Sequence, residues 1–464
     1  MSQLLSVYSP FSNELLKEIP YNTDSDLEKA LQTAYGLFQD RSQWMPAHQR
    51  IELLEKVQEL MKGQVEELTK LAASEGGKPY QDSKVEVLRA INGVKIAAEE
   101  IGRLTGTQIP MGLTAASTNR LAWTMREPIG VVASISAFNH PLNLIVHQTI
   151  TAFAAGCPVI VKPAGTTPLS CIRFLKILEE AGIPEGWVQG LILDNELAEK
   201  LATDPRVNYL SFIGSGKVGW YLKSKLAPGT RIALEHGGTA PVIVAEDCDV
   251  SELIGPLAKG GFYHAGQVCV SVQKVFAHEN IARELAEGIA QAAEKLKVGD
   301  PLSEDTEVGP LILPKEVGRI DEWVQEAVSE GAELLTGGKV LANNCYAPTV
   351  LWNPSVDSKV SQEEIFGPVI CIYPYQDRAQ AIQQANAVPY HFQSAVFTQN
   401  LDIALDTMQK LDANAVMVND HTAFRVDWMP FGGRDQSGEG MGGIPYSMHE
   451  MTRTKLLVFK SKYL

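Results

Sequence analysis

Cys269 closes the run Gly266-Gln267-Val268-Cys269, and Glu235 opens Glu235-His236-Gly237-Gly238 upstream of it. A thiolate attacks carbonyl carbon readily, and a carboxylate can take a proton from water. One cysteine and one glutamate in such surroundings predict covalent thiolate chemistry on a carbonyl group. A third run, Gly214-Ser215-Gly216-Lys217-Val218-Gly219, follows an apolar strand-like stretch and opens a helix-like one. Amides at a helix N-terminus bind phosphate oxygens, so this turn is a candidate dinucleotide seat. Spacing alone would make Glu235 the acid that holds a ribose hydroxyl.

These residues need a scaffold. The chain has 464 residues, and domains of about 150 residues predict two or three lobes. It is 45% hydrophobic and 20% charged, the composition of a packed globular protein. A formal net charge of −15, with no local Lys/Arg cluster, argues against nucleic acid as a partner. The six cysteines (Cys157, Cys171, Cys248, Cys269, Cys345, Cys371) have neither paired nor regular spacing, so no disulfide framework and no metal site is expected. The N-terminal stretch lacks a basic region followed by a long apolar one. The most apolar segment, residues 150–161, is short and broken by Gly156 and Pro158. A cytoplasmic protein with no membrane partner is the expectation.

Helical periodicity dominates the first hundred residues, over 24–38, with Asp24 or Ser25 as its cap, then 49–74 and 83–101. Residues 105–119 read as a loop, and 121–127 as an exposed strand fit to pair with another chain. From residue 129 strands and helices alternate. Strands are expected at 129–135, 159–161, 207–213 and 231–234, and helices at 141–155, 167–180 and 217–226. A second series follows, with strands at 241–244, 273–277, 369–373 and 395–398 and helices at 253–264, 281–296 and 320–330. Such alternation implies parallel sheets with helical crossovers. Residues 456–459 read as a last strand with no partner nearby.

Several ordered landmarks resemble the aldehyde dehydrogenase superfamily over nearly the whole chain. They are Phe138-Asn139-His140-Pro141, Val161-Lys162-Pro163-Ala164, Phe212-Ile213-Gly214-Ser215 with Gly219, and the Glu235 and Cys269 runs. Glu363-Glu364-Ile365-Phe366-Gly367-Pro368 and Pro430-Phe431-Gly432-Gly433 with Ser437-Gly438 complete them. The resemblance implies an α/β aldehyde dehydrogenase fold. That fold has a Rossmann-like cofactor domain (1–107 and 126–235), an α/β catalytic domain (236–429) and a β oligomerisation segment (108–125 and 430–464). A homodimer or homotetramer is implied.

The resemblance also implies NAD(P)-dependent oxidation of an aldehyde to the acid. Cys269 would form a thiohemiacetal and then a thioester, and Glu235 would activate the water that releases the acid, which withdraws its ribose role. Asn139, read from its position before Pro141 as a helix cap, would also donate its amide to the oxyanion, with the Cys269 backbone amide beside it. Lys162, Gly214, Ser215, Gly219, Glu364 and Phe366 would hold the cofactor. Gly165 stands where the family often has a glutamate that favours NAD, so NADP is admitted alongside NAD. His236 and Thr239 replace the leucine and lysine usual beside the base.

Family substrate contacts fall on one face of the helix after Asn139, here His140, Asn143, Leu144 and His147. That polar face, with Arg425 and either His147 or Arg120 as an anion clamp, implies a small polar or anionic aldehyde. Two rival functions follow from the same fold: release of the thioester to coenzyme A, or a structural protein without turnover.

Overall fold

The computed structural model describes residues 3–464. The first two residues, where the stretch expected to carry no leader begins, lie outside that description. The α/β architecture expected from the alternating runs is what the chain builds. One sheet has six strands in the order Gly438–Glu439, Arg231–Glu235, Val207–Ile213, Val131–Ile135, Val159–Lys162, Val188–Gly190. All neighbours are parallel except the first pair. The central strand Val131–Ile135 is buried at every residue, as a strand covered on both faces must be. The Asn143–Ala155 and Leu169–Ala181 helices pack on one face. Asp24–Gln39 and Asn195–Thr203 cover the other.

Register fixes where the chemistry sits. Ile135 lies opposite both Lys162 and Phe212, and Ile213 lies opposite Glu235. The carboxyl ends of four parallel strands therefore meet along one edge, the place where open α/β sheets bind ligands. A seven-stranded sheet between residues 242 and 418 carries the second large core, and its Lys274–His278 strand begins just past Cys269.

Local differences from expectation have local causes. The first helix is capped by Thr23, not Asp24 or Ser25, because Thr23 and Asp26 complete a reciprocal capping box. The expected helix over 49–74 is two, Ala47–Lys62 and Val65–Gly76, parted at Gly63. The tail does have a partner: Thr452–Lys460 pairs antiparallel with Arg120–Pro128 along its whole length. The latter is thus the middle strand of a three-stranded flap, not an open edge, with Gln108–Ile109 on its other side. Chain separation hid this pairing, since the two strands lie far apart in the sequence. Arg434–Asp435 and Gly438–Glu439, expected with the tail, instead pair with Tyr390–His391 and Arg231–Glu235.

Two buried carboxylates tie the first helices to the sheet. Glu75 accepts the amides of Leu169 and Ser170 at 2.6 and 2.8 Å. Glu86 accepts those of Leu142 and Asn143 at 2.9 and 3.0 Å, and its other oxygen bonds Lys78 Nζ. Each carboxylate supplies, from another element, the cap its crossover helix lacks. Lys78 and Glu86 are fully enclosed. Lys78→Met leaves the Glu86 charge buried without its cation, which costs about 3–5 kcal/mol. The expected outcome is a clear drop in Tm by differential scanning calorimetry. An unchanged Tm would show that the pair does not carry the junction.

Candidate active site

A cleft of about 940 Å³ runs along the strand ends and into the second sheet's side. Asn139, Glu235 and Cys269 line it together. So do Lys162, Gly214, Ser215, Glu364 and Phe366, and so do His140, Asn143 and Arg425. Residues from seven separated stretches of sequence therefore meet at one cavity of small-ligand size.

Strand ends and a helix start place several of them. Glu235 is the last residue of its strand, and Lys162 the last of another. Asn139 lies between the Val131–Ile135 strand and the Asn143–Ala155 helix whose first amides Glu86 holds. Its Nδ2 donates to the Gln267 carbonyl at 3.0 Å. Gln267 is itself fixed from three sides, donating to the His264 and Pro310 carbonyls and accepting from the Ile312 amide. Asn139 is thereby held against the cysteine turn, with its second N–H available. Ahead of Cys269 the chain bends through His264 and Ala265, both at positive φ (48° and 53°). Backbone in this region costs about 1–3 kcal/mol per residue and persists only where packing enforces it.

Electrostatics divide the site sharply. Cys269 and Cys248 are the half-buried cysteines, and the other four are buried. Burial pushes the Cys269 thiol up to about 12, with Arg425 pulling the other way. Burial also raises Glu235, again opposed by Arg425. Enclosure lifts Glu364 to about 8, although its Oε1 accepts the Gly238 amide at 3.2 Å. The thiol is therefore protonated at neutral pH, and both carboxylates resist ionisation.

Asp427 is the organising anion at the cleft's rear. It accepts two bonds from Arg89 at 3.1 and 2.7 Å, one from His147 at 2.8 Å and one from Asn143 Nδ2 at 3.3 Å. Burial alone would raise its pKa, and His147 and Arg89 hold it well below the usual carboxylate range. Arg425 is left without a carboxylate within salt-bridge distance among the described residues. Its guanidinium lies over the Phe431 ring at 3.4 Å, and its buried Nε has no partner. Asn143 Oδ1 is likewise buried and unpartnered.

Some expected residues stand elsewhere. His147 points to Asp427 and does not line the cleft, so it is a support rather than a substrate contact. Arg120 sits in the flap, bonding the Ala116 and Thr118 carbonyls, and cannot join Arg425 in a clamp. Gly165 is exposed outside the cleft lining, and Gly219 is buried behind it. Arg425 does not pair with Asp427, which Arg89 occupies. Lys78, Glu86, Arg89 and the ordering role of Asp427 escaped sequence reading, because nothing local marks a residue that acts on a distant helix start.

A family model described as the aldehyde dehydrogenase family matches residues 1–457. A 3-sulfolactaldehyde dehydrogenase of Priestia aryabhattai is 36% identical over 458 residues, covering 98% of this chain and 95% of that protein. A lactaldehyde dehydrogenase of Methanocaldococcus jannaschii is 36% identical over 459 residues, covering 98% and 97%. Among solved structures, aldehyde dehydrogenase 21 of Physcomitrella patens, in complex with the reaction product succinate, superposes with a TM-score of 0.95 at 36% identity, covering 99% and 95%. A glyceraldehyde-3-phosphate dehydrogenase of M. jannaschii complexed with NADP gives 0.94 at 35% identity, covering 99% and 100%.

The thiol's environment sets a measurable behaviour. The thiolate is the form that alkylates, so Cys269 should react with iodoacetamide ever faster as pH rises to 10, with no plateau near neutrality. Arg425 favours the charged form, so Arg425→Leu should slow the reaction at any fixed pH. Peptide mass spectrometry separates Cys269 from Cys248. A plateau near pH 7 in the free protein would contradict the assignment.

Proposed function

The chain belongs to the aldehyde dehydrogenase family, and from that premise we propose the roles of its cleft residues and the aldehyde they select. The protein is an NAD(P)-dependent oxidoreductase that converts an aldehyde to its carboxylic acid. Cys269 Sγ bonds to the carbonyl carbon, and its proton leaves to solvent or to Glu235. The carbonyl oxygen, now negative, accepts from Asn139 Nδ2 and the Cys269 amide in a thiohemiacetal. Each such donor is worth about 10²–10³ in rate. The nicotinamide dinucleotide, when bound, accepts the hydride that turns this adduct into a thioester. Glu235 then removes a proton from water as the water oxygen bonds to the thioester carbon, and the C–S bond breaks to give the acid and the free cysteine. Hydrolysis is favoured over transfer to coenzyme A because a buried carboxylate of raised pKa stands ready as the base. The acid formed with and without coenzyme A present decides between them.

The cleft residues fit such a dinucleotide. Lys162 is largely enclosed, burial alone lowers its pKa, and no acid pairs with it among the described residues. It forms one bond, to the Pro163 carbonyl at 3.1 Å. A lysine without a counter-ion, next to Gly165 in place of an acid, favours a 2′-phosphate. NADP is the preferred cofactor on this reading. Gly214 and Ser215 seat the phosphates, and Glu364 and Phe366 flank the nicotinamide end. Lys162→Met should raise KM for NADP about tenfold or more while KM for NAD moves less, since a lost charge-assisted bond is worth about 1.5–3 kcal/mol. Equal changes for both cofactors, in initial-rate measurements, would remove the phosphate role.

The substrate we propose is a short aldehyde carrying a hydroxyl and an anionic end. Arg425 carries this reading: a cation enclosed beside Cys269 and Glu235, with its neighbouring carboxylate occupied by Arg89. Asn143 Oδ1, an unpaired buried acceptor, suits a hydroxyl donor. The sulfonate, hydroxyl and carboxylate groups in the names of the relatives' substrates and product are the same chemistry. Phosphonoacetaldehyde, glycolaldehyde and succinate semialdehyde complete a panel with 3-sulfolactaldehyde and lactaldehyde. Arg425→Leu should cut kcat/KM for the anionic members about a hundredfold, as truncating one member of a buried charge pair does, and lower it far less for the neutral ones, which lose only the pull of Arg425 on the thiol and the base. Arg425 also holds Glu235 down, so the acid limb of kcat should move to higher pH in this variant. Equal losses for charged and neutral aldehydes would overturn the clamp.

Assembly follows from the flap. Leu456, Val458 and Phe459 on its outer strand are about half exposed, beside Leu121 and Trp123. We expect these faces to be covered in a homodimer or homotetramer. Unpaired cysteines throughout suit the reducing cytoplasm. Among the described residues, no helix is long and apolar enough to cross a membrane.

A further inference from the structure

Gly214 is held by both of its backbone groups. Its N–H donates to the Glu235 carbonyl at 3.1 Å, and its own carbonyl accepts from His236 Nδ1 at 2.9 Å. A ring nitrogen facing a carbonyl must carry the proton, so the imidazole is the Nδ1–H tautomer. The ring is 3% exposed and stands edge-on to Phe212 and Trp220, 5.8 Å from each centroid. Its backbone is pinned from the other side, where the His236 amide donates to the Ser437 carbonyl at 3.0 Å. Behind the ring lies Gly219. A Cβ there would stand 2.1 Å from His236 Cε1 and 2.5 Å from Nε2, so no side chain fits.

A trans peptide is planar, and its C=O and N–H point in opposite directions. Holding the Gly214 carbonyl toward His236 therefore directs the Ser215 N–H the opposite way, as a fixed donor. Glycine leaves its own side of that plane unrestrained, so without the imidazole the Gly214–Ser215 peptide can rock away from this orientation as far as the φ of Ser215 allows. A leucine in place of His236 could fill the space and could not hold the carbonyl.

We propose that His236 is a positioning residue for cofactor binding: it locks the Gly214–Ser215 peptide against the strand that ends in Glu235, and Gly219 is glycine to admit its ring. The proposal rests on the reading that this turn seats the dinucleotide. It gives Gly219 a duty different from close approach to the cofactor.

Steady-state kinetics in varied NADP, with circular dichroism to confirm folding, test it. His236→Leu should raise KM for NADP about tenfold, the value of one hydrogen bond together with the ordering it supplies, while kcat changes less than about threefold. His236→Asn places an amide N–H near the Nδ1 position and should recover most of the loss. Gly219→Ala should raise the same KM, and His236→Ala/Gly219→Ala should be no worse than His236→Ala. Equal effects of Leu and Asn, or a fall in kcat with KM unmoved, would overturn the proposal. Ser215→Glu separates it from the reading beneath. If a carboxylate there leaves the NADP KM unchanged, the turn is not the seat and both fall. If it raises KM while His236→Leu does not, only the role of His236 falls.

Discussion

Glu86 reaches out of its own helix to take the first two amides of another, and the active cleft inherits its shape from that contact. The Asn143–Ala155 helix has no side-chain cap of its own, and Asn139 and His140 hang from its unanchored start. An enclosed carboxylate bonded to two amides and to Lys78 fixes that start far more rigidly than an exposed cap would. The constraint passes onward through Asn139 to the Gln267 carbonyl, and so to the turn that carries Cys269. Asn139 and Cys269 are set relative to each other by contacts that begin at Glu86.

The same logic governs charge. Asp427 could have neutralised Arg425 from two residues away. It faces Arg89, His147 and Asn143 instead, and those bonds orient Asn143 with its acceptor unpaired. Arg425 is left as a cation acting on both Cys269 and Glu235. A substrate anion would satisfy it and simultaneously weaken its pull on the thiol and the base. Binding and activation are thus opposed at this residue, and an aldehyde whose anionic end engages only part of the guanidinium would suit it best.

Much of this was legible in the sequence because it is local. The parallel strands were visible as apolar runs such as 131–135 and 207–213, and Cys269, Glu235 and Asn139, which meet in the cleft, stand in short motifs. What was hidden depends on distance along the chain. The flap joins residues 120–128 to 452–460, and neither stretch names the other. His147 has the right spacing for a substrate contact, yet a carboxylate far along the chain claims it. Gly219 matches a phosphate-loop pattern, and the His236 ring stands where its side chain would lie. Periodicity locates a face of a helix, but only the packed neighbours decide what that face meets.

The segment from Glu235 to Gly238 shows how densely the constraints are layered. Glu235 ends a strand whose register sets it beside Ile213, and its side chain is enclosed enough to raise its pKa. His236 turns inward to the phosphate turn. Gly237 cannot bear a side chain, since a Cβ would fall within 2 Å of the Glu364 carboxyl carbon and oxygens. Gly238 then donates its amide to that same carboxylate. Glu364 therefore packs on the backbone that follows the base, and the largely protonated state its burial imposes at neutral pH keeps a second negative charge away from Glu235. Any movement of Glu364 toward a cofactor ribose must break the Gly238 bond and loosen the loop behind the base. The two carboxylates are mechanically joined through two glycines.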